Sequence, residues 1–206
     1  MPTINAWNSN IPVEISKGGT NASSMTNTDG VCYFDGTSIL TTTVGTAGQV
    51  LKSNGVAVAP TFQEGLRFAK TILTSQQIKT LHASPITVIS APGPKKMISV
   101  SALNAYYSYG GSNIFTAAAS QIVSLNYVGN GGKIIGTVFS NYTLTNAENK
   151  YTIRPGAAAG LSDVVTGLID NQPITLCNDV ATEISGNAAN DNTITVLLAY
   201  VIIDFN

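Results

Sequence analysis

The chain has 206 residues, ten basic and eleven acidic, a formal net charge of −1, and 10% charged residues where an ordinary soluble domain has roughly 25%. No run of like charge occurs, so nucleic acid is a poor partner, since phosphate binding needs a clustered basic surface. Scarce charge with abundant β-branched residues argues against disorder, and no apolar stretch reaches the length of about 18 residues that a membrane helix needs.

In chain order, Met1-Pro2-Thr3-Ile4-Asn5-Ala6-Trp7 has neither the basic region nor the apolar core of a secretion signal. Synthesis in a cytoplasm is expected, without membrane insertion. From there to Gln63-Glu64-Gly65, short apolar pieces (Ile11 to Ile15, Val31 to Phe34, Ile39-Leu40, Val50-Leu51) alternate with Gly, Thr, Ser and Asn clusters and show no helical period. Such pieces cannot close a core by themselves. Drawn out, about 60 residues reach on the order of 100–200 Å, so the natural cover for them is copies of the same chain. Residues 1–65 are therefore expected to form an extended stem.

Residues 66–206 read as a folded domain. Leu73 to Leu81 carries a helical turn with Thr74 as N-cap and Ile78 and Leu81 on one side. Strands are predicted over Ile86 to Ser90, Met97 to Tyr109, Gln121 to Val128, Lys133 to Ser140, Ile174 to Asn178 and Thr193 to Ile203. Two of them say more than their existence. In Met97 to Tyr109 the apolar residues sit at Ile98, Val100 and Ala102, then switch parity to Leu103, Ala105, Tyr107 and Tyr109, which demands a bulge or bend near Ala102-Leu103. In Thr193 to Ile203 both parities are apolar, so one face meets the core and the other a second sheet or a neighbouring subunit. The fold class expected is all-β, an extended N-terminal stem plus a C-terminal antiparallel β-sandwich or jelly-roll-like head.

Residues able to carry chemistry are sparse. His82 is the sole histidine, so neither a His-based triad nor a multi-His metal site can be built in one chain, and it reads as a turn residue before Ser84-Pro85. Asp163, Asp170, Asp179, Glu183 and Asp191 are scattered singly without a calcium-loop spacing. Cys32 and Cys177 have no CxxC companion and read as small buried residues. Lys95-Lys96 reads as a solvated turn. Gly129-Asn130-Gly131-Gly132 lacks the Lys-Ser/Thr pair of a phosphate loop and is expected to be a hairpin turn. No enzyme activity, cofactor or metal is expected. Tyr107 and Tyr109 fall on the core parity of their strand; Tyr106 falls on the other and is a candidate surface contact. Asn130, Tyr142 and Asn187 join it, from the expected loops Val128 to Gly132, Asn141 to Asn149 and Gly186 to Asn192, with Arg154 to Ser162 as a further recognition loop.

Two segments resemble known phage proteins. Lys17-Gly18-Gly19-Thr20-Asn21-Ala22-Ser23-Ser24, followed by Val44-Gly45-Thr46-Ala47-Gly48-Gln49-Val50-Leu51-Lys52-Ser53-Asn54-Gly55-Val56-Ala57-Val58-Ala59-Pro60-Thr61-Phe62-Gln63, resembles the GTAGQVL-type stem modules of bacteriophage fibres, with Asn21 where those modules usually have Gly. The resemblance spans residues 17–63. Residues 72–98, with Tyr109-Gly110-Gly111, look like the opening of a β-sandwich domain common in phage structural proteins. The resemblance implies a trimeric virion part, made in the host cytoplasm and held on the particle by residues 1–65 through other virion proteins. Its head, residues 66–206, would meet a host-surface glycan or protein. Rivals are a capsid head fibre or decoration protein without a receptor, and a tail-associated depolymerase.

Overall fold

A computed structural model describes residues 14, 19–22, 27–155 and 169–205. The apolar piece Ile11 to Ile15 lies almost wholly outside these residues, as does most of the expected loop Arg154 to Ser162. The chain divides into two compact units, Met1–Gly65 and Leu66–Asn206, at the point where the sequence changes character.

The first unit contains two hairpins. In one, β1 (Cys32–Phe34) pairs with β2 (Ile39–Thr41), and the turn is closed by the Asp35 carboxylate, which accepts the backbone N–H groups of Thr37 and Ser38 at 2.8 and 2.7 Å. Those donors hold the Asp35 carboxyl below its ordinary value. In the other, β3 (Gln49–Lys52) pairs with β4 (Thr61–Glu64). This second hairpin accounts for the residues of the GTAGQVL segment. Gln49 Oε1 accepts Thr46 N–H at 2.9 Å, Gly48 turns the chain at φ +90°, and a Cβ on Gly45 would lie 2.5 Å from the Phe62 ring, so only glycine fits there. Among the described residues of this unit no large apolar side chain is buried, and Phe34 (59%), Val50 (48%) and Val56 (97%) stand in solvent. Cys32 is exposed too, which corrects the reading of it as buried: its hairpin has no core to enter.

The second unit contains β5 (Arg67–Leu73), α1 (Ser75–Lys79), β6 (Ile86–Ile89), β7 (Lys96–Ser108), β8 (Phe115–Thr116), β9 (Ile122–Tyr127), β10 (Ile134–Ser140), α2 (Asn141–Leu144), β11 (Lys150–Pro155), β12 (Ile174–Cys177), β13 (Ser185–Gly186) and β14 (Thr193–Asp204). One sheet runs β11-β7-β14-β5 and the other β10-β9-β12-β6. The pairs β9·β10, β7·β11, β6·β12 and β5·β14 are all antiparallel and nest one inside the next. That is a long hairpin of four strands against four rolled over on itself, the jelly-roll order. Inward residues of both sheets, among them Leu103, Tyr107, Val196, Leu125, Phe139 and Leu176, form one buried cluster, and Tyr127 Oη crosses it to donate to the Ile98 carbonyl.

Local chemistry explains several elements. Thr74 caps α1 through a capping box with Gln77, and Ile78 and Leu81 are both fully buried. The expected bulge is present in β7, at Ser101 and so just before Ala102-Leu103, which turns Ala102 away from the core face on which the sequence placed it. Ala199 pairs with Ala102 but Tyr200 with Val100, leaving exposed Ser101 as the extra residue, so that Ile98 and Val100 before it and Leu103, Ala105 and Tyr107 after it all face inward. Lys96 opens β7 and pairs with Asp204 at 2.9 Å, so it belongs to the strand and not to a free turn. The turn 129–132 joins β9 to β10 as expected.

The core makes stability sensitive to alkali. Burial, reinforced by Tyr109 and Asp191, pushes the Tyr107 phenol up to about 12, and burial raises Tyr127 as well. Unfolded tyrosine titrates near pH 10, so between about pH 10 and pH 12 the unfolded chain has released protons that the folded chain still holds, and stability falls as pH rises. The Tyr107→Phe variant is expected to lose less over that window, by on the order of 2 kcal/mol. Urea midpoints of both proteins near neutral and strongly alkaline pH check this; parallel losses would refute it.

Candidate functional site

Three places in the second unit gather the residues able to make contacts. The first joins the N-terminus of α1 to the segments after β7 and β13. Ser75 Oγ lies 2.5 Å from both Asn187 Oδ1 and the Asn192 carbonyl, which share its single hydroxyl proton. Asn187 Nδ2 donates to the Asn113 carbonyl at 2.6 Å and to Asp191 Oδ1 at 2.7 Å, and Asn192 Oδ1 accepts Gly110 N–H at 2.8 Å. The Asn187 amide is the main reason the Asp191 carboxyl sits below its ordinary value. Asn187 is 1% exposed, at φ +40°. As a candidate surface contact it is therefore corrected: its amide is spent on tying three loops together, and it offers nothing to a ligand. Asn192 is likewise buried, so the segment Gly186 to Asn192 is in part an internal tie.

The second place lies on the outer side of the β10-β9-β12-β6 sheet. Ser124, Asn126, Thr175 and Cys177 have the parity opposite to the core residues Val123, Leu125, Ile174 and Leu176, yet they too are buried. The turn 129–132 and Asp179 cover them. Asp179 accepts Asn126 Nδ2 at 2.9 and 3.0 Å, Ser124 Oγ at 3.1 Å and Gly131 N–H at 3.0 Å. Asn130 is exposed, and its amide donates to the His82 carbonyl at 2.5 Å. His82 Nδ1 lies 2.9 Å from the Asn178 carbonyl; a carbonyl can only accept, so Nδ1 carries the proton. Glu183 accepts the N–H groups of His82 and Ala83 at 3.1 and 2.7 Å.

This cluster holds a thiol, a hydroxyl, a carboxylate and an imidazole without the arrangement that activates a nucleophile. The Cys177 thiol is pushed up to about 11, chiefly by burial, and stays protonated at neutral pH. Ser124 donates to Asp179 and to the Cys177 carbonyl, while the His82 Nδ1 proton is committed to Asn178. Among the described residues no group of three His, Cys, Asp or Glu side chains could hold a metal ion. The polar atoms under the turn are bonded mainly to one another, with Asn126 Oδ1 left buried and without a hydrogen-bond partner.

The third place is the outer face of the β11-β7-β14-β5 sheet. Here Tyr106 stacks on Tyr151, ring centroids 4.7 Å apart and planes at 30°, and Tyr151 is 73% exposed. The outward parity of β14 carries Leu197, 40% exposed, so the face expected to need a cover lies open in the single chain. Tyr142, also 73% exposed, is on α2. Of the four candidate contacts, Tyr106, Asn130 and Tyr142 are thus on three separate elements, and they do not form one site. The residues most exposed around Tyr106 are Phe68, Ile72, Tyr151 and Ile153, on β5 and β11, two strands that are not among those predicted from the sequence. The signal was there in Phe68, Lys70 and Ile72 alternating with Ala69, Thr71 and Leu73.

Compared with protein-family models, curated proteins and solved structures, the chain finds no match.

Proposed function

We propose that this chain is a structural protein of a bacteriophage particle, a homotrimeric fibre without enzymatic activity. Residues 1–65 form its stem and hold it on the virion through other virion proteins, and residues 66–206 display a jelly-roll head for attachment to a host-surface glycan or protein. The observation that carries this reading is the first unit. Its hairpins leave Phe34, Val50 and Val56 in solvent and bury no large apolar side chain among the described residues, so they have no core of their own, and isolated two-stranded hairpins are marginal in water. The resemblance of residues 17–63 to fibre stem modules gives that deficit a purpose, since a stem packs against its own copies. A rigid two-sheet head, with turns presented from a packed scaffold, suits contact with a surface. Light scattering on the purified full chain at micromolar concentration should return the mass of three 21.4 kDa chains, and imaging of intact particles with this chain labelled should place it on a projecting fibre. A monomer, or particles without the chain, would refute the proposal.

A further inference from the structure

We infer that the outer face of the β11-β7-β14-β5 sheet is the surface on which a second copy of this chain docks. The inference rests on the reading of the protein as a self-associating fibre and assigns the head's part in that association. The strand register places the side chains in rows. Tyr151, Tyr106, Thr195 and Ile72 form one row, and Ile153, Asn104, Leu197 and Lys70 the next. Ala102, Ala199 and Phe68 follow in a third. Side chains directly paired across a sheet share a face, and the opposite parity is the buried core, so all of these point away from it.

Five of them are large, apolar and open: Phe68 (66%), Ile72 (55%), Tyr151 (73%), Ile153 (75%) and Leu197 (40%). Together they expose on the order of 600 Å², at roughly 200 Å² for each fully open side chain. That lies at the upper end of the roughly 300–600 Å² patch of a typical monomer and is a large part of the roughly 800 Å² that each partner buries in a stable complex.

The layout also matches an interface between proteins. Lys70, the one charged residue in the three rows, sits on β5 at the sheet edge, where the rim of a contact tolerates charge, while Leu197 and Ala199 occupy the inner strand β14. A glycan needs convergent donors and acceptors, whereas the polar groups here, on Tyr106, Tyr151, Thr195, Asn104 and Lys70, are spread over four strands among the open apolar side chains. A second copy is the fitting occupant because the first unit independently exposes apolar side chains in the single chain, so self-association is called for in each unit by itself. Copies joined through either unit also hold the other at high effective concentration.

Tyr142 and Tyr151 are each 73% exposed in the single chain, which provides an internal control. Hydroxyl-radical labelling of the full-length protein should modify Tyr151 severalfold more slowly than Tyr142, because a docked copy covers a ring that stands open in the single chain. The Leu197→Asp variant, changed at an outward position, should bring Tyr151 up to the rate of Tyr142 with its far-ultraviolet circular dichroism unchanged. An oligomer in which Tyr151 reacts as fast as Tyr142 overturns this assignment and leaves the fibre reading standing. So does Tyr151 shielded only in intact particles, which would make another virion protein the occupant, or shielding that survives Leu197→Asp. A monomer by light scattering overturns both readings.

Discussion

Deletion of Ser101 is expected to unfold the second unit, whereas Ser101→Ala should leave it close to the wild type. Ser101 is exposed and has no partner on β14, so its side chain contributes little; its presence as a residue matters. It resets the alternation of β7, so that Ile98 and Val100 enter the same core as Leu103, Ala105 and Tyr107. With one residue removed, the strand can satisfy only one of the two sets. Turning Ile98 and Val100 outward forfeits about 1.5–3 kcal/mol each and drives Ser99 inward, where it has no partner. The bond from Tyr127 Oη to the Ile98 carbonyl is lost with them. The total, on the order of 3–6 kcal/mol, is comparable to the whole stability of many domains. Thermal unfolding followed by circular dichroism decides the matter: a deletion variant melting with the wild type would show that the bulge does not govern facing.

Asn187→Ala is expected to cost about 2–4 kcal/mol, since it strands buried polar groups and places alanine in a left-handed conformation. Four partners lose a bond to the side chain: Ser75 Oγ, the Asn113 carbonyl, Asp191 Oδ1 and Asn192 N–H. Asn130→Ala, which removes an exposed amide from the turn over His82, should cost under about 1 kcal/mol. Denaturant midpoints of the two variants measure the contrast. If Asn187→Ala kept wild-type stability but bound host surface less well, the contact role first expected for this residue would be restored.

Local chemistry made part of this protein legible. The Thr74 cap, the Gly129 to Gly132 turn and the bulge in β7 each depend on residues a few positions apart, and each is decided within its own segment. The two apolar parities of β14 likewise announced a face in need of a cover. The division near Gly65 followed from composition, because short apolar pieces among small polar residues cannot bury one another.

Other features depend on pairings between residues far apart in the chain. β5 faces β14 across more than a hundred residues, and nothing local to Arg67–Leu73 names that partner; the nested order of strands exists only once both halves of the roll are present. Asn187 shows the same limit at one side chain. In sequence it is a turn asparagine like Asn130, and both were expected at the surface. Asn130 remains there, whereas Asn187 meets Ser75, 112 positions earlier, and is buried. An asparagine amide suits water and a closed polar network equally well. Which of the two it meets is set by the loops that tertiary folding brings around it, so the sequence determined the kinds of element and the tertiary structure decided which polar groups remained free to contact anything.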